Sequence, residues 1–186
     1  MALADQGLTA DEFLELPLDE YRFTQLIDGE IIVTEASFRH QRIVMFLARR
    51  LAECTEEGPG RGEAGIAVDV VLDERNVFAP GLWWVTEARR PGEGARSLEG
   101  PPDLAVEVSS PSTWRHDTEV KKDTYERAGL PELWLVDTEA EVVLVHRRSS
   151  PEAPVFDVHL TLVTEHELGS PQLPGFNLSV RELFAR

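Results

Sequence analysis

Hydrophobic and polar residues in the first third of the chain recur with the periods of a helix, a hairpin and a second helix. Thr9 and Glu12 form a capping-box pattern ahead of an apolar run, which predicts a short helix that ends near Pro17. Apolar residues alternate on both sides of Asp28-Gly29, and this pair predicts a two-residue hairpin because such tight turns require positive φ angles. Ser37 can cap the next helix, whose predicted buried stripe is Ile43, Val44, Leu47, Ala48 and Leu51.

The rest of the chain predicts short apolar strands with one helix between two of them. Strands are expected at residues 66–72, at 77–79 and 82–85 around Pro80-Gly81, and then at 104–108, 133–137, 142–146 and 156–163. A helix from Asp117 to Ala128 is expected to stop at Gly129 and Pro131, residues 180–184 predict a short final helix, and residues 89–100 predict a loop. The chain has no internal repeat and no low-complexity linker. Residues 1–186 are therefore expected to form a single domain of the α/β (α+β) class, a mixed sheet flanked by helices.

The composition fits a folded protein of a reducing compartment. Hydrophobic residues make up 42% of the 186 residues, which is enough for one sizeable core. The single cysteine, Cys54, excludes an internal disulfide. No apolar run approaches the roughly 20 residues that crossing a bilayer requires, and the first residues lack the basic and apolar parts of a signal peptide. We therefore expect a cytoplasmic protein without a membrane partner.

The net charge of −16 argues against nonspecific binding to nucleic acid. Such binding depends mainly on lysine and arginine side chains that neutralise phosphates. A local basic strip can still exist on an acidic protein, and basic residues are adjacent at Arg89-Arg90, Lys121-Lys122 and Arg147-Arg148. Each of these pairs is more commonly part of a solvated face.

The apolar strand at residues 104–108 contains one acid, Glu107. An ionised carboxylate in an apolar layer is strongly destabilising unless it pairs with a cation or binds a metal. The strand pattern leaves three alternatives open, because Glu107 can bind a metal, pair with an arginine or face the solvent.

Longer motifs around this strand resemble a known family. Residues 102–113 read PDLAVEVSSPST, residues 131–137 read PELWLVD, and between them Asp117, Lys121, Tyr125 and Gly129 recur at every fourth position. With Leu26 to Glu30 and His40, these motifs resemble the Uma-type putative restriction endonucleases, bacterial proteins of the PD-(D/E)XK nuclease superfamily, over about residues 13–184. The resemblance implies a restriction-endonuclease-like mixed sheet flanked by helices. It also implies a metal-dependent endonuclease that hydrolyses the phosphodiester bonds of DNA.

The resemblance gives Glu107 and Lys121 catalytic roles. Glu107 matches the acid that binds Mg²⁺ or Mn²⁺, and such hard cations prefer oxygen ligands. Two residues later the chain has Ser109, so the lysine that orients the attacking water is implied to lie on the following helix. Lys121 is preferred to Lys122 because it lies one helical turn from Tyr125 and one from Asp117.

The resemblance also places Glu30 at the site. Glu30 matches an acid of the family's Asp-Gly-Glu motif and is implied to be a further metal or water ligand, although a solvated strand end is the alternative. We interpret His40 as a hydrogen-bonded, partly buried histidine, because a helix start disfavours a charged imidazole. Tyr125 and Trp134 are expected to be packing residues.

The chain departs from the family at Gly81, where an aspartate normally follows the proline. Glycine has no ligand atom, so a metal would lose a principal carboxylate. Asp103 lies four residues before Glu107 on the same strand, roughly 13 Å away and too far to share one ion. Asp69 on the preceding strand is the other candidate substitute.

Three functions therefore compete. The first is a metal-dependent endonuclease that hydrolyses DNA through Glu107, Lys121 and Glu30, with a site impaired by Gly81 in place of the expected aspartate. The second is a catalytically inactive nuclease-fold module for binding or assembly, and the third is an enzyme acting on a small phosphorylated substrate. DNA is the expected partner, and a homodimer is expected by analogy with enzymes that cut both strands. Trp83, Trp84 and Trp114 can form a subunit contact, although filling the core is the commoner role of such residues.

Overall fold

The structure, a computed structural model, describes residues 7–17, 24–33, 36–109 and 116–185, without the side chains of residues 116 and 117. The helices are α1 (Ala10–Leu14), α2 (Phe38–Glu56), α3 (Lys122–Arg127) and α4 (Val180–Phe184), with a 3₁₀ turn at Glu87–Arg89 and a π-helical segment at His116–Lys121. The strands are β1 (Thr24–Ile27), β2 (Glu30–Val33), β3 (Glu63–Gly65), β4 (Asp69–Asp73), β5 (Asn76–Phe78), β6 (Leu82–Val85), β7 (Ser97–Glu99), β8 (Leu104–Ser109), β9 (Glu132–Asp137), β10 (Val142–Arg147), β11 (Val158–Leu162), β12 (Glu167–Gly169) and β13 (Asn177–Ser179). Trp114 lies outside the described residues. Within these ranges, none of the helices combines the length and hydrophobicity that spanning a membrane requires.

Local signals near the start of the chain form the predicted structures. The backbone N–H of Glu12 donates to Thr9 Oγ1 at 3.3 Å, and the backbone N–H of Thr9 donates to Glu12 Oε2 at 2.9 Å, which completes the capping box. Asp28 and Gly29 have φ angles of 51° and 83°, and they turn β1 into β2 as predicted. Ser37 Oγ caps α2 by accepting from the backbone N–H of His40 at 3.2 Å.

Two sheets form the body of the protein. The six-stranded sheet has the order β11-β10-β9-β8-β6-β3, and its central pair, β8 and β9, is parallel. The five-stranded sheet has the order β2-β1-β5-β4-β7. Parallel strands need a crossover connection, and the segment with α3 provides it between β8 and β9. The short strands β12 and β13 pair separately.

Alternation along β8 and β9 divides the core into two faces. One face packs against the apolar stripe of α2 and carries Val106, Val108, Trp134 and Val136. The opposite face carries Ala105, Leu133 and Leu135, which pack with Phe78 of β5 and Tyr125 of the crossover helix α3. The five-stranded sheet and α3 therefore cover the face of β8 that α2 leaves open. Glu107 alternates with Val106 and Val108, so it lies on this second face.

Some element boundaries differ from those that the sequence predicts. The apolar segments on either side of Pro80-Gly81 belong to different sheets, because β5 pairs with β1 and β4 whereas β6 pairs with β3 and β8. The predicted loop at 89–100 contains β7, and the strand expected from residue 66 begins at Asp69 after Ala67, which has a φ of 44°. Strands of three residues show too little alternation to be recognised.

Candidate active site

Glu107 lies in the middle of β8 with only 5% of its surface exposed. Its neighbours in the parallel register are residues of β9, and Leu135 is directly opposite. The strand places the carboxylate in the layer between the six-stranded sheet and α3. A charged group in such a layer requires partners that replace its lost hydration.

Lys121 provides the first partner. Its Nζ lies 3.2 Å from Glu107 Oε2, and Lys121 is only 4% exposed. The lysine ends the π-helical segment that leads into α3, and its Nζ lies 5.8 Å from the ring centroid of Phe78, within cation–π range. Wide π-helical turns recur at functional sites in proteins, because they change the direction of a side chain locally. The structure thus brings together two of the three predicted catalytic residues.

Tyr125 provides the second partner. Its hydroxyl donates to Glu107 Oε1 at 2.9 Å, and its ring packs edge-on against Phe78 with 5.2 Å between the ring centroids. The spacing of four residues from Lys121 places both side chains on one face of the helical segment, as the sequence predicts. Tyr125 was expected only to pack, so its hydrogen bond is an addition to the predicted site. Lys122 points elsewhere, with its Nζ 3.0 Å from Asp123 Oδ1.

Glu30 lies apart from these contacts. It is the first residue of β2, at the edge of the five-stranded sheet, and it is exposed. It shares a strand face with Ile32, which packs against the cluster around Tyr125. Within the described ranges, the Glu30 side chain forms no hydrogen bond or ion pair. The predicted role of Glu30 as a ligand therefore stays a prediction.

Position 81 faces the wrong side of the sheet for a metal ligand. Leu82 pairs with Val106, so one more step of the ladder would place residue 81 opposite Glu107. The backbone bends there instead, and a Cβ on Gly81 would lie 3.3 Å from the Val106 carbonyl oxygen and 3.5 Å from Val44 Cγ2. Val44 belongs to α2, which packs on the face opposite Glu107. A side chain at this position would therefore enter the apolar core.

Neither Asp103 nor Asp69 replaces the carboxylate missing at position 81. Asp103 accepts hydrogen bonds at 2.7 Å from the backbone N–H of Thr86 and from Arg89 Nη1, so it fastens the segment after β6. The side chain of Val70 packs against β6. Because side chains alternate along a strand, the side chain of Asp69 lies on the opposite face of β4, away from the six-stranded sheet. Burial raises the pKa of Asp69 above its ordinary value. Neither acid can complete a site at Glu107.

The described residues do not fit a resident Mg²⁺ or Mn²⁺ ion at Glu107. Mg²⁺ is usually held by one or two carboxylates together with substrate phosphates. Here one carboxylate oxygen contacts the ammonium of Lys121, whose charge repels a second cation, and the other oxygen accepts from Tyr125. In the part of the chain that the structure describes, no group of three or more His, Cys, Asp and Glu residues is arranged to hold a metal.

A second buried acid, Glu132, was missed by the sequence reasoning. It is the first residue of β9 and is fully buried, and its oxygens accept from Trp134 Nε1 and Ser170 Oγ, both at 2.7 Å. Glu132 is part of the motif at residues 131–137, but its hydrogen-bond partner Ser170 is 38 residues away in the chain. No local pattern links the two.

Comparison with known proteins identifies the architecture. A family model described as Uma2, putative restriction endonuclease, matches residues 10–181. The crystal structure of a putative nuclease belonging to DUF820 from Anabaena variabilis ATCC 29413 is similar, with a TM-score of 0.81 and 20% sequence identity over 96% of this chain and 98% of that chain. A search of curated proteins found no match. The structural likeness confirms the predicted fold class, a mixed α+β sheet structure flanked by helices.

Proposed function

This chain belongs to the Uma2 family of putative restriction endonucleases, and we propose that it is a nuclease-fold protein that binds DNA while its hydrolytic site is impaired. The match confirms the predicted resemblance, and the nuclease-like fold is the premise of the proposal. The observation that carries the proposal is the pairing of Glu107, because Lys121 and Tyr125 contact its two carboxylate oxygens.

In this proposal Lys121 and Tyr125 stabilise the fold rather than a reacting phosphate. The ion pair and the hydrogen bond replace the hydration that Glu107 loses on burial. Both partners belong to the crossover between β8 and β9, so the contacts fasten that crossover to the sheet. Gly81 removes the carboxylate expected there, and its surroundings are apolar.

An active metal-dependent endonuclease is the second candidate. The arrangement that favours it is the retained proximity of Glu107 and Lys121 at 3.2 Å, together with Glu30 on the strand face that carries Ile32. In this candidate Glu107 and Glu30 would hold Mg²⁺ or Mn²⁺, and Lys121 would orient the water. It requires a lysine that leaves Glu107 when the ion arrives.

The arginines of α2 form the surface that best suits DNA. Arg39, Arg42, Arg49 and Arg50 lie on this helix, and residues 38–52 include no acid. Arg42 is exposed, and its side chain forms no ion pair or hydrogen bond among the described residues. Phe38 is 95% exposed and lies one turn before Arg42, where an aromatic ring can stack on a base. We call this surface the α2 basic face.

The α2 basic face extends towards the carboxyl ends of the central strands β8 and β9. Arg39 pairs with Glu141, which follows β9, and Val44 lies near Val108 at the carboxyl end of β8. The first half of α2 is therefore near the carboxyl ends of both central strands. A DNA backbone bound to Arg39 and Arg42 would lie beside this end of the sheet.

The three basic pairs noted in the sequence are less suited to DNA. Arg89 pairs with Asp103, Arg90 with Glu63 and Glu87, Lys121 with Glu107 and Lys122 with Asp123. Arg147 lies 3.7 Å from Glu132, and Arg148 donates to backbone carbonyls. All six cations have partners within the protein, as do Arg39, Arg49 and Arg50 of α2 with Glu141 and Glu53. The α2 basic face differs because it also presents Arg42, whose side chain has no partner among the described residues.

A homodimer and a cytoplasmic location stay predictions. The proposed dimer contact cannot use Trp83 and Trp84, because both are buried in the core. Their alternative interpretation as core residues is the one that the structure supports. Light scattering of the purified chain tests the dimer directly.

The proposal is tested by measuring DNA binding and DNA cleavage separately. Fluorescence anisotropy with a labelled duplex, without divalent ions and at several salt concentrations, is expected to give binding that weakens with salt. Arg42→Glu is expected to weaken it about tenfold or more, whereas Arg96→Glu in an exposed loop changes charge equally and leaves binding nearly unchanged. An equal loss of DNA affinity in Arg42→Glu and Arg96→Glu would contradict binding at the α2 basic face.

Cleavage distinguishes the two candidates. Supercoiled plasmid incubated with Mg²⁺ or Mn²⁺ is expected to stay intact with the wild-type protein. Nicking by the wild type that disappears in Glu107→Gln would establish the active endonuclease instead. Nicking that persists in Glu107→Gln would indicate a contaminating nuclease.

A further inference from the structure

Two histidines face each other on the outer part of the six-stranded sheet, away from the contacts of Glu107. His146 of β10 is directly opposite His159 of the edge strand β11 in the antiparallel register. The ring centroids are 5.1 Å apart and the two Nδ1 atoms 2.8 Å apart. Paired strands hold the two backbones opposite each other, so the two side chains are direct cross-strand neighbours.

Each imidazole has two ring nitrogens, and the two Nδ1 atoms are the ones that face each other. Neutral imidazole is the form that binds metal ions.

We propose that His146 and His159 form a two-imidazole site for a divalent transition-metal ion that accepts nitrogen ligands at a right angle, such as Cu²⁺ or Ni²⁺. Water completes the coordination shell. The site is independent of the proposed function of Glu107 and of the α2 basic face. It needs no third protein ligand, and the described residues offer none.

The 2.8 Å separation of the two Nδ1 atoms is that of a hydrogen bond between the rings, and a bound ion would replace the shared proton. Nitrogens that each lie about 2.0 Å from an ion and subtend a right angle at it are about 2.8 Å apart. A tetrahedral ion such as Zn²⁺ requires about 3.3 Å between the same atoms, so the pair would have to open. Tetragonal coordination by nitrogen and oxygen is typical of Cu²⁺ and Ni²⁺.

The surroundings leave one side of the pair open. His159 is exposed, whereas His146 is half-buried with the ring of Phe156 6.1 Å from its own. The ion would therefore approach from the solvent side of β11. Because β11 is an edge strand, an ion held by both residues would link it to β10 and stabilise the hairpin against opening.

The test is a Cu²⁺ titration of the full chain, followed by calorimetry and by electron paramagnetic resonance. We expect one equivalent of Cu²⁺ with nitrogen hyperfine structure from two imidazoles. His146→Gln and His159→Gln are each expected to weaken binding about tenfold or more, because each removes one of two protein ligands. His166→Gln is the matched control, because His166 is exposed and lies away from the pair in the turn that follows β11.

Several results would overturn the site. Unchanged affinity in both variants, a spectrum with a single imidazole nitrogen, or an equal loss in His166→Gln would mean that the pair is only a hydrogen bond between rings. Circular dichroism of each variant shows whether the fold is retained. Copper is also expected to raise the melting temperature of the wild type and not that of His159→Gln, and equal shifts in both would count against the site.

Discussion

Glu107 and Glu132 are two buried carboxylates on opposite faces of the same pair of parallel strands. Glu107 of β8 is opposite Leu135, whereas Glu132 of β9 is opposite Leu104, so the two acids are three residues apart along the sheet. Glu107 faces α3, and Glu132 shares its face with Trp134 and α2. Burial alone therefore does not distinguish a reactive acid from a structural one.

The partners of the two acids differ in kind. Glu132 accepts from the indole of Trp134 and the hydroxyl of Ser170, and Arg147 Nη1 lies 3.7 Å away. These partners come from β9, β10 and the turn after β12, so Glu132 joins three separate parts of the fold. Glu107 meets an ammonium and a phenol from one crossover. The partners of Glu107 thus fasten a single crossover to the sheet, whereas those of Glu132 join three separate segments.

The largest expected effect comes from removing the ammonium. Lys121→Met leaves a charged Glu107 in an apolar layer and is expected to lower the free energy of unfolding by about 3–5 kcal/mol, measured by urea denaturation. Adding Glu107→Gln to this variant is expected to recover part of the loss, because the uncompensated charge disappears. If the changes in the free energy of unfolding of the two single variants simply add in the double variant, the ion pair would be contradicted.

Glu132→Ala is expected to lower the free energy of unfolding by about 3 kcal/mol, because it leaves buried donors on Trp134 and Ser170 without an acceptor. Glu132→Gln keeps the side-chain volume and one oxygen, so it is expected to lower the free energy of unfolding by less than Glu132→Ala does. Binding of DNA by the folded fraction is expected to stay unchanged in both. A loss of DNA affinity in Glu132→Gln would remove the distinction between the two acids.

Gly81→Asp tests whether the site can be restored. The new carboxylate would enter the core between Val44 and Val108, so we expect about 2–3 kcal/mol of destabilisation and no gain of plasmid cleavage. Gly81→Ala adds only the Cβ and is expected to destabilise the fold less than Gly81→Asp does. Mn²⁺-dependent nicking gained by Gly81→Asp would show that position 81 can reach Glu107 after all.

The smallest expected effects compare single hydroxyls at the two acids. Tyr125→Phe and Ser170→Ala each remove one hydrogen bond to a buried carboxylate and are each expected to cost about 1–2 kcal/mol. Chemical denaturation of both variants at one pH gives the comparison. A loss of more than about 4 kcal/mol in Tyr125→Phe alone would indicate that the phenol has a further structural role.

Local features of this site could be predicted from the sequence, and distant ones could not. The juxtaposition of Glu107 and Lys121 was predicted by combining strand alternation, helical spacing and the family resemblance. The hydrogen bond between Ser170 and Glu132 joins residues 38 positions apart, for which one sequence offers no signal. The direction of position 81 depends on a bend just outside the ladder, and the placement of Glu30 depends on how two sheets pack.

The most direct measurement of the central claim is Mn²⁺ binding to the metal-free protein, followed by electron paramagnetic resonance with wild type and Glu107→Gln in parallel. The proposal of an impaired site predicts no binding that depends on Glu107 at millimolar Mn²⁺, because the carboxylate is already paired with Lys121 and Tyr125. One Mn²⁺ bound well below millimolar concentration by the wild type, and lost in Glu107→Gln, would contradict it.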